Sequence, residues 1–163
     1  MILRSLVATT LLIAGAAAAP VIASAADAAA HAAAASAPAV SATDGWLRVL
    51  PGSLPAGGYV TFSNASDSAV SIVGAESGDY ADAMIHRSST AGGMGRMEMV
   101  DAVAVPARGT VAFSPGGYHV MLTGAKHPVK AGDAVVVTFD LSDGKKLPVT
   151  LLARPANATG PKD

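Results

Sequence analysis

Residues 115–124 read "PGGYHVMLTG". In an extended strand successive side chains point to opposite faces, so His119 and Met121 stand side by side while Tyr118, Val120 and Leu122 point the other way. One face is apolar enough to build a core, and the other offers an imidazole and a thioether. The stretch predicts a strand that buries one side and presents donor atoms on the other.

From Gly45 onward the chain reads as more such strands: "GWLRVL", "GGYVTFSN", "AVSIVGAES", "DAMIHRSS", "GRMEMVDAVAV", "GTVAFSP", "YHVMLTG", "DAVVVTFDLS" and "LPVTLLAR". The breaks are Gly, Pro, Asn, Asp and Ser, the residues that turn a chain for known steric reasons. Nine runs in roughly 110 residues, with no helix-length periodic segment between them, predict an all-β Greek-key barrel or sandwich. In "VVVTFDL", Val135, Val137, Phe139 and Leu141 alternate with Val136, Thr138 and Asp140, the pattern of a half-buried strand. Trp46, Tyr59 and Phe62 are expected to add bulk to the same core. Asn64-Ala-Ser66 and Asn157-Ala-Thr159 match glycosylation acceptors by spacing alone.

The N-terminus has a different character. Arg4, the apolar run "SLVATTLLIAGAAAAPVIA" and the small-x-small site Ala23-Ser24-Ala25 read as a secretory signal peptide over residues 1–25. A membrane anchor is the alternative, but the strongly apolar part is short and alanine-diluted for a bilayer span, so the mature chain is expected to have none. Residues 26–42, "ADAAAHAAAASAPAVSA", hold almost nothing that packs and read as a flexible linker, with His31 solvated inside it. One folded domain is expected over 43–155, and a flexible tail over 156–163.

Composition excludes several classes. The formal net charge is −1, and with neither a basic stripe nor much aromatic surface a nucleic-acid partner is not expected. There is no cysteine, which rules out disulfides, a lipid anchor on cysteine after the signal, and every site built on thiolate. No nucleophile elbow, convergent Ser/His/Asp set or carboxylate cluster points to an enzyme.

The methionines carry more information. Apart from Met1, all lie between Met84 and Met121, as do two of the four histidines. Methionine ordinarily fills gaps in a core, yet Met84, Met97, Met99 and Met121 have polar or Gly-rich neighbours. The order is His86, ten residues, Met97, twenty-one residues, His119, one residue, Met121. Alternation also sets Met84 beside His86 and Met97 beside Met99. Soft neutral thioethers with imidazole, and no thiolate or carboxylate, suit Cu(I) better than hard ions. Met94 and Met99 read as loop or packing residues, Met84 as an auxiliary ligand, and His127 as a solvated residue of a charged turn.

These residues resemble the periplasmic copper chaperones of the PCu(A)C type. The H-x10-M-x21-H-x-M pattern, the "PGGYHVML" block, "VKAGD" and the opening "GWLRVLPGSLPAGGYVTFSN" carry the resemblance, which spans roughly Gly45 to Ala153. It implies a cupredoxin-like fold and one Cu(I) ion held by His86, Met97, His119 and Met121. It also implies delivery of copper to the CuA-bearing subunit of a respiratory oxidase, or to another copper assembly factor. Some relatives place a methionine directly after the first histidine, where this chain has Arg87, and some carry a His/Met-rich tail that "PANATGPKD" lacks. The expectation is a monomeric periplasmic copper carrier. A general periplasmic copper buffer and a β-sandwich interaction module without metal are the alternatives.

Overall fold

A computed structural model describes residues 39–163. The signal peptide, most of the linker and His31 lie outside the described residues. Ten strands follow in order: β1 (Val40–Arg48), β2 (Ala56–Asn64), β3 (Val70–Ser77), β4 (Tyr80–Ser89), β5 (Arg96–Met99), β6 (Val103–Val105), β7 (Thr110–Phe113), β8 (Tyr118–Ala125), β9 (Ala134–Leu141) and β10 (Lys146–Arg154). They form one hydrogen-bonded sheet in the order β5-β4-β8-β7-β2-β1-β10-β9-β3-β6, with β8 also pairing β2. Pairings are antiparallel except β1 with β10 and β7 with β8. The fold is cupredoxin-like and all-β. The single run expected over "GRMEMVDAVAV" is two strands, because the chain leaves β5 at Met99 and re-enters the sheet at Val103 on the other edge.

The inward faces share one core. Phe62 is completely buried and meets Phe113 and Phe139 edge-on at centroid distances of 5.1 and 4.9 Å, the arrangement that aromatic quadrupoles favour. In β9, Val135, Val137, Phe139 and Leu141 are buried as the alternation requires. Every strand but β5 contributes a buried hydrophobic residue to this core.

Trp46 and Tyr59 do not join that core. In β1 an extra residue between Thr43 and Trp46 breaks the pairing with β2, and such a bulge reverses which face the following side chains occupy. Val40 and Leu47 consequently point inward, while Trp46 lies on the outer face against Tyr59, with centroids 4.4 Å apart. Gly45 sits in the bulge because a Cβ there would lie 2.8 Å from the Thr150 carbonyl oxygen.

Both ends of the domain differ from expectation. Strand β1 begins at Val40, inside the stretch read as linker, because Val40 is buried and pairs with Asn64. Residues 156–163, expected to be a loose tail, fold back: Ala158 is buried against Trp46 and Tyr59, and its carbonyl accepts bonds from Arg48 Nε and Nη2 at 3.0 and 2.7 Å. The Asp163 carboxylate receives the backbone N–H and hydroxyl of Thr159 and the N–H of Gly160. The polar composition of the tail concealed one small apolar residue that fits the outer aromatic pair.

Asn64 is a structural residue rather than an exposed acceptor. It is buried, its Nδ2 donates to the carbonyls of Ser68 and Val105, and its Oδ1 receives Ser66 N–H and Oγ–H. Asn64→Ala is expected to cost about 1–3 kcal/mol through partners left unsatisfied, read as a lower urea midpoint with an unchanged slope. A midpoint within error of the parent would refute that role.

Candidate metal centre

Strand β4 lies between β5 and β8. Its register with β8 pairs Met84 with Met121 and His86 with His119. Its register with β5 pairs His86 with Met99 and Ser88 with Met97. On the inner side Ile85, Val120 and Leu122 are buried. Alternation therefore turns Met84, His86, His119 and Met121 to the outer face, with Met97 and Met99 on the same side.

The two imidazoles lie edge to face with centroids 5.8 Å apart. His119 is 7% exposed, covered on its other side by Tyr59 at 6.4 Å. Gly57, paired with Met121, lies under Tyr59, and a Cβ there would approach the phenol oxygen to 2.9 Å. Arg48 stacks over both Trp46 and Tyr59, its guanidinium 5.4 and 5.5 Å from their centroids. The outer face thus presents one row from Met99 through His86, His119 and Tyr59 to Trp46.

The ring nitrogens are arranged for a ligand. Nδ1 of His119 lies 3.2 Å from the Gly117 carbonyl; donating there leaves Nε2 with a free lone pair, the way a backbone carbonyl commonly orients a metal-binding histidine. The turn that brings this carbonyl close needs Gly116, whose φ is +83°. Nδ1 of His86 is buried without a hydrogen-bond partner. Desolvation lowers the pKa of His86 from its ordinary value, and the neighbouring His119 lowers it further. A partly buried imidazole that resists protonation and has one buried nitrogen without a partner is suited to coordination.

The remaining residues fall outside the two cross-strand pairs Met84–Met121 and His86–His119. Met97, Met99 and Met94 are exposed. Met97 stands two pairs beyond His86 toward the hairpin tip, whereas Met99 is directly opposite it. Sequence spacing passed over Met99, since the six residues between β4 and β5 decide which methionine of "MEM" faces the histidine. Arg87 points to the opposite face, over Tyr118 at 5.5 Å, so a donor at that position would be turned away from His119. His127, past the C-terminal end of β8, is exposed and bonds Asp79 at 2.9 Å. Among the described residues no group of three or more His, Cys, Asp or Glu side chains comes together. The donors here are imidazole and thioether.

The cupredoxin-like sheet is the fold of the PCuAC domains. The solved "Copper-bound PCuAC domain from PmoF2" is 23% identical with a TM-score of 0.60, over 72% of this chain and 93% of that one. DR1885 from Deinococcus radiodurans is nearer in sequence. Its apo solution structure is 30% identical with a TM-score of 0.57, over 94% of this chain and 97% of that one. Its CuI solution structure is 33% identical with a TM-score of 0.57, over 80% and 88%. The family profile described as "Putative lipoprotein LpqE-like" matches residues 40–152, and the chain belongs to this family. A curated relative, "Putative lipoprotein Lxx21020" of Leifsonia xyli subsp. xyli (strain CTCB07), is 30% identical over 116 residues, 71% of this chain and 69% of the relative.

His86, on the outer face of β4, and His127, away from it, should titrate differently. Burial lowers the pKa of His86, while the hydrogen bond to Asp79 raises that of His127. Falling pH therefore destabilises the fold through His86, because the unfolded chain accepts that proton first, and rising pH removes a small contribution from His127. NMR titration of the apo protein should find His86 titrating at lower pH than His127. The reverse order would contradict the burial of His86.

Proposed function

We propose that the outer face of β4, β5 and β8 binds one Cu(I) ion and that the protein carries this ion as cargo. The supporting observation is the cross-strand pair of His86 and His119, one with an unpartnered nitrogen and one with its tautomer set by Gly117, flanked by Met121. Both described histidines with free nitrogens are neutral donors beside neutral thioethers, a set that suits Cu(I). The CuI form of the Deinococcus relative supports the same reading. His86, His119 and Met121 are the proposed ligands, with Met97 the fourth by its motif position and Met84 auxiliary.

The role of a carrier follows from accessibility. A half-exposed site on an outer sheet face lets an acceptor's ligands reach the ion while the donor still holds it, so transfer proceeds by ligand exchange without release to water. The acceptor is proposed to be the CuA-bearing subunit of a respiratory oxidase or another copper assembly factor. The reading of residues 1–25 as an export signal supports the periplasm as the compartment of this exchange. The family description includes the word lipoprotein, but these 163 residues contain no cysteine to carry a lipid. No helix among the described residues is long and apolar enough to cross a membrane.

Anaerobic titration against a coloured Cu(I) chelator should show uptake of one ion, with His119→Ala and Met121→Ala each weaker by at least about tenfold. If the joint variant His86→Ala, Met97→Ala, His119→Ala, Met121→Ala bound as tightly as the parent, the function would be wrong. Both imidazoles must be unprotonated to bind, and desolvation already lowers the pKa of His86, so affinity should fall as the pH is taken from neutral into the acid range. The same competition repeated from neutral to acid pH measures this, and a flat profile would exclude histidine ligation.

A further inference from the structure

We infer that the groove at the end of the sheet where β1, β8 and β10 finish binds an aliphatic carboxylate. The inference stands apart from the copper reading, and none of the histidines or methionines of the donor face lines this groove.

Three connections wall it: residues 49–54 after β1, residues 124–131 at the end of β8 and beyond, and residues 155–156 after β10, with Tyr80 at the start of β4. They enclose about 790 Å³, within the range of about 300–1,000 Å³ usual for small-molecule sites. The walls are mainly aliphatic, built from Val49, Leu50, Leu54 and Val129 with the rings of Pro51 and Pro128. Leu54 is 59% exposed, a large apolar side chain left uncovered at the rim. Tyr80 is the one phenyl ring in the lining, so stacking contributes little and a flexible hydrocarbon chain fits better than a flat ring system.

The polar side chains decide the other end of the ligand. Ser53, Tyr80, Lys126, His127 and Lys130 all carry donors, and no carboxylate or amide side chain lines the groove. Asp79 and Asp133, the acids that act on His127, lie outside the lining and are engaged. Asp79 bonds His127, and Asp133 accepts the backbone N–H of Lys130. Lys126 Nζ is held on the Gly78 carbonyl, whereas among the described residues the Lys130 ammonium has no partner.

Tyr80 supplies the second observation. It is 4% exposed, yet among the described residues its hydroxyl has no hydrogen-bond partner. Burial raises its pKa and Asp79 raises it further, so the group stays a phenol and donates. A buried donor without a partner calls for an acceptor, and lysines around the same groove favour an anionic one. A membrane surface would meet Leu54 and the lysines but leave the Tyr80 hydroxyl unpaired. A single amphiphilic molecule seated in the groove satisfies both.

The test is calorimetric titration of the protein with sodium dodecanoate below its micelle concentration, alongside octanoate and dodecyltrimethylammonium. One dodecanoate is expected per chain, bound about threefold more tightly for each methylene by which it exceeds octanoate, with no uptake of the cation. Tyr80→Phe removes only the hydroxyl and should weaken binding about fivefold. Leu54→Asp should weaken it about tenfold and Lys130→Glu about threefold. Both of these residues are exposed, so their substitution tests the groove without touching the core. Equal affinity for the cationic amphiphile, parent affinity in both rim variants, or no uptake of dodecanoate would overturn the proposal. So would sedimentation with phosphatidylglycerol vesicles by a protein that ignores dodecanoate, since that outcome assigns the rim to a membrane surface.

Discussion

The antiparallel register of β4 on β8 is the constraint on which the site depends. Because side chains alternate, a slip of one residue would set His86 opposite Val120, so that either the imidazole entered the core or the valine left it. Burial of Ile85, Val120 and Leu122 opposes that slip. A slip of two residues would preserve the faces but separate the histidines. It is opposed at both ends: Ser88 N–H bonds the Gly117 carbonyl at 3.0 Å, and Gly124, at φ +65°, lies so close to Ala81 that a Cβ would fall 2.8 Å from it. The same strand pair thus anchors the core and aligns the donors.

A second layer supports the histidines from the side. The bulge in β1 turns Trp46 outward, Tyr59 covers His119, and Arg48 clamps both rings while bonding the Ala158 carbonyl. The C-terminal segment is therefore joined to the wall of the donor face. Excluding water on that side would leave an ion bound there in less polar surroundings, which suits the proposed soft cation with neutral ligands.

Much of this was legible in the sequence. Alternation in "YHVML" and "VVVTFDL" identified the buried faces, and the turn residues separated the strands. The clustering of histidine and methionine pointed to the donor face. What was hidden depends on relations between strands. One inserted residue near Gly45 moved Trp46 out of the core. A six-residue hairpin set Met99 rather than Met97 opposite His86. A lone alanine ordered a tail whose composition looked unstructured. Periodicity reports which face a residue occupies, but register and bulges decide its neighbours.

The most direct measurement is a long-range 1H–15N spectrum of the imidazoles in the mature protein, recorded before and after one equivalent of Cu(I). The account predicts that the apo protein has His119 protonated at Nδ1, and that copper shifts His86 and His119 together while His127 stays in place. Shifts at His127 or His31 with neither paired histidine affected, or a His119 ring protonated at Nε2, would contradict it.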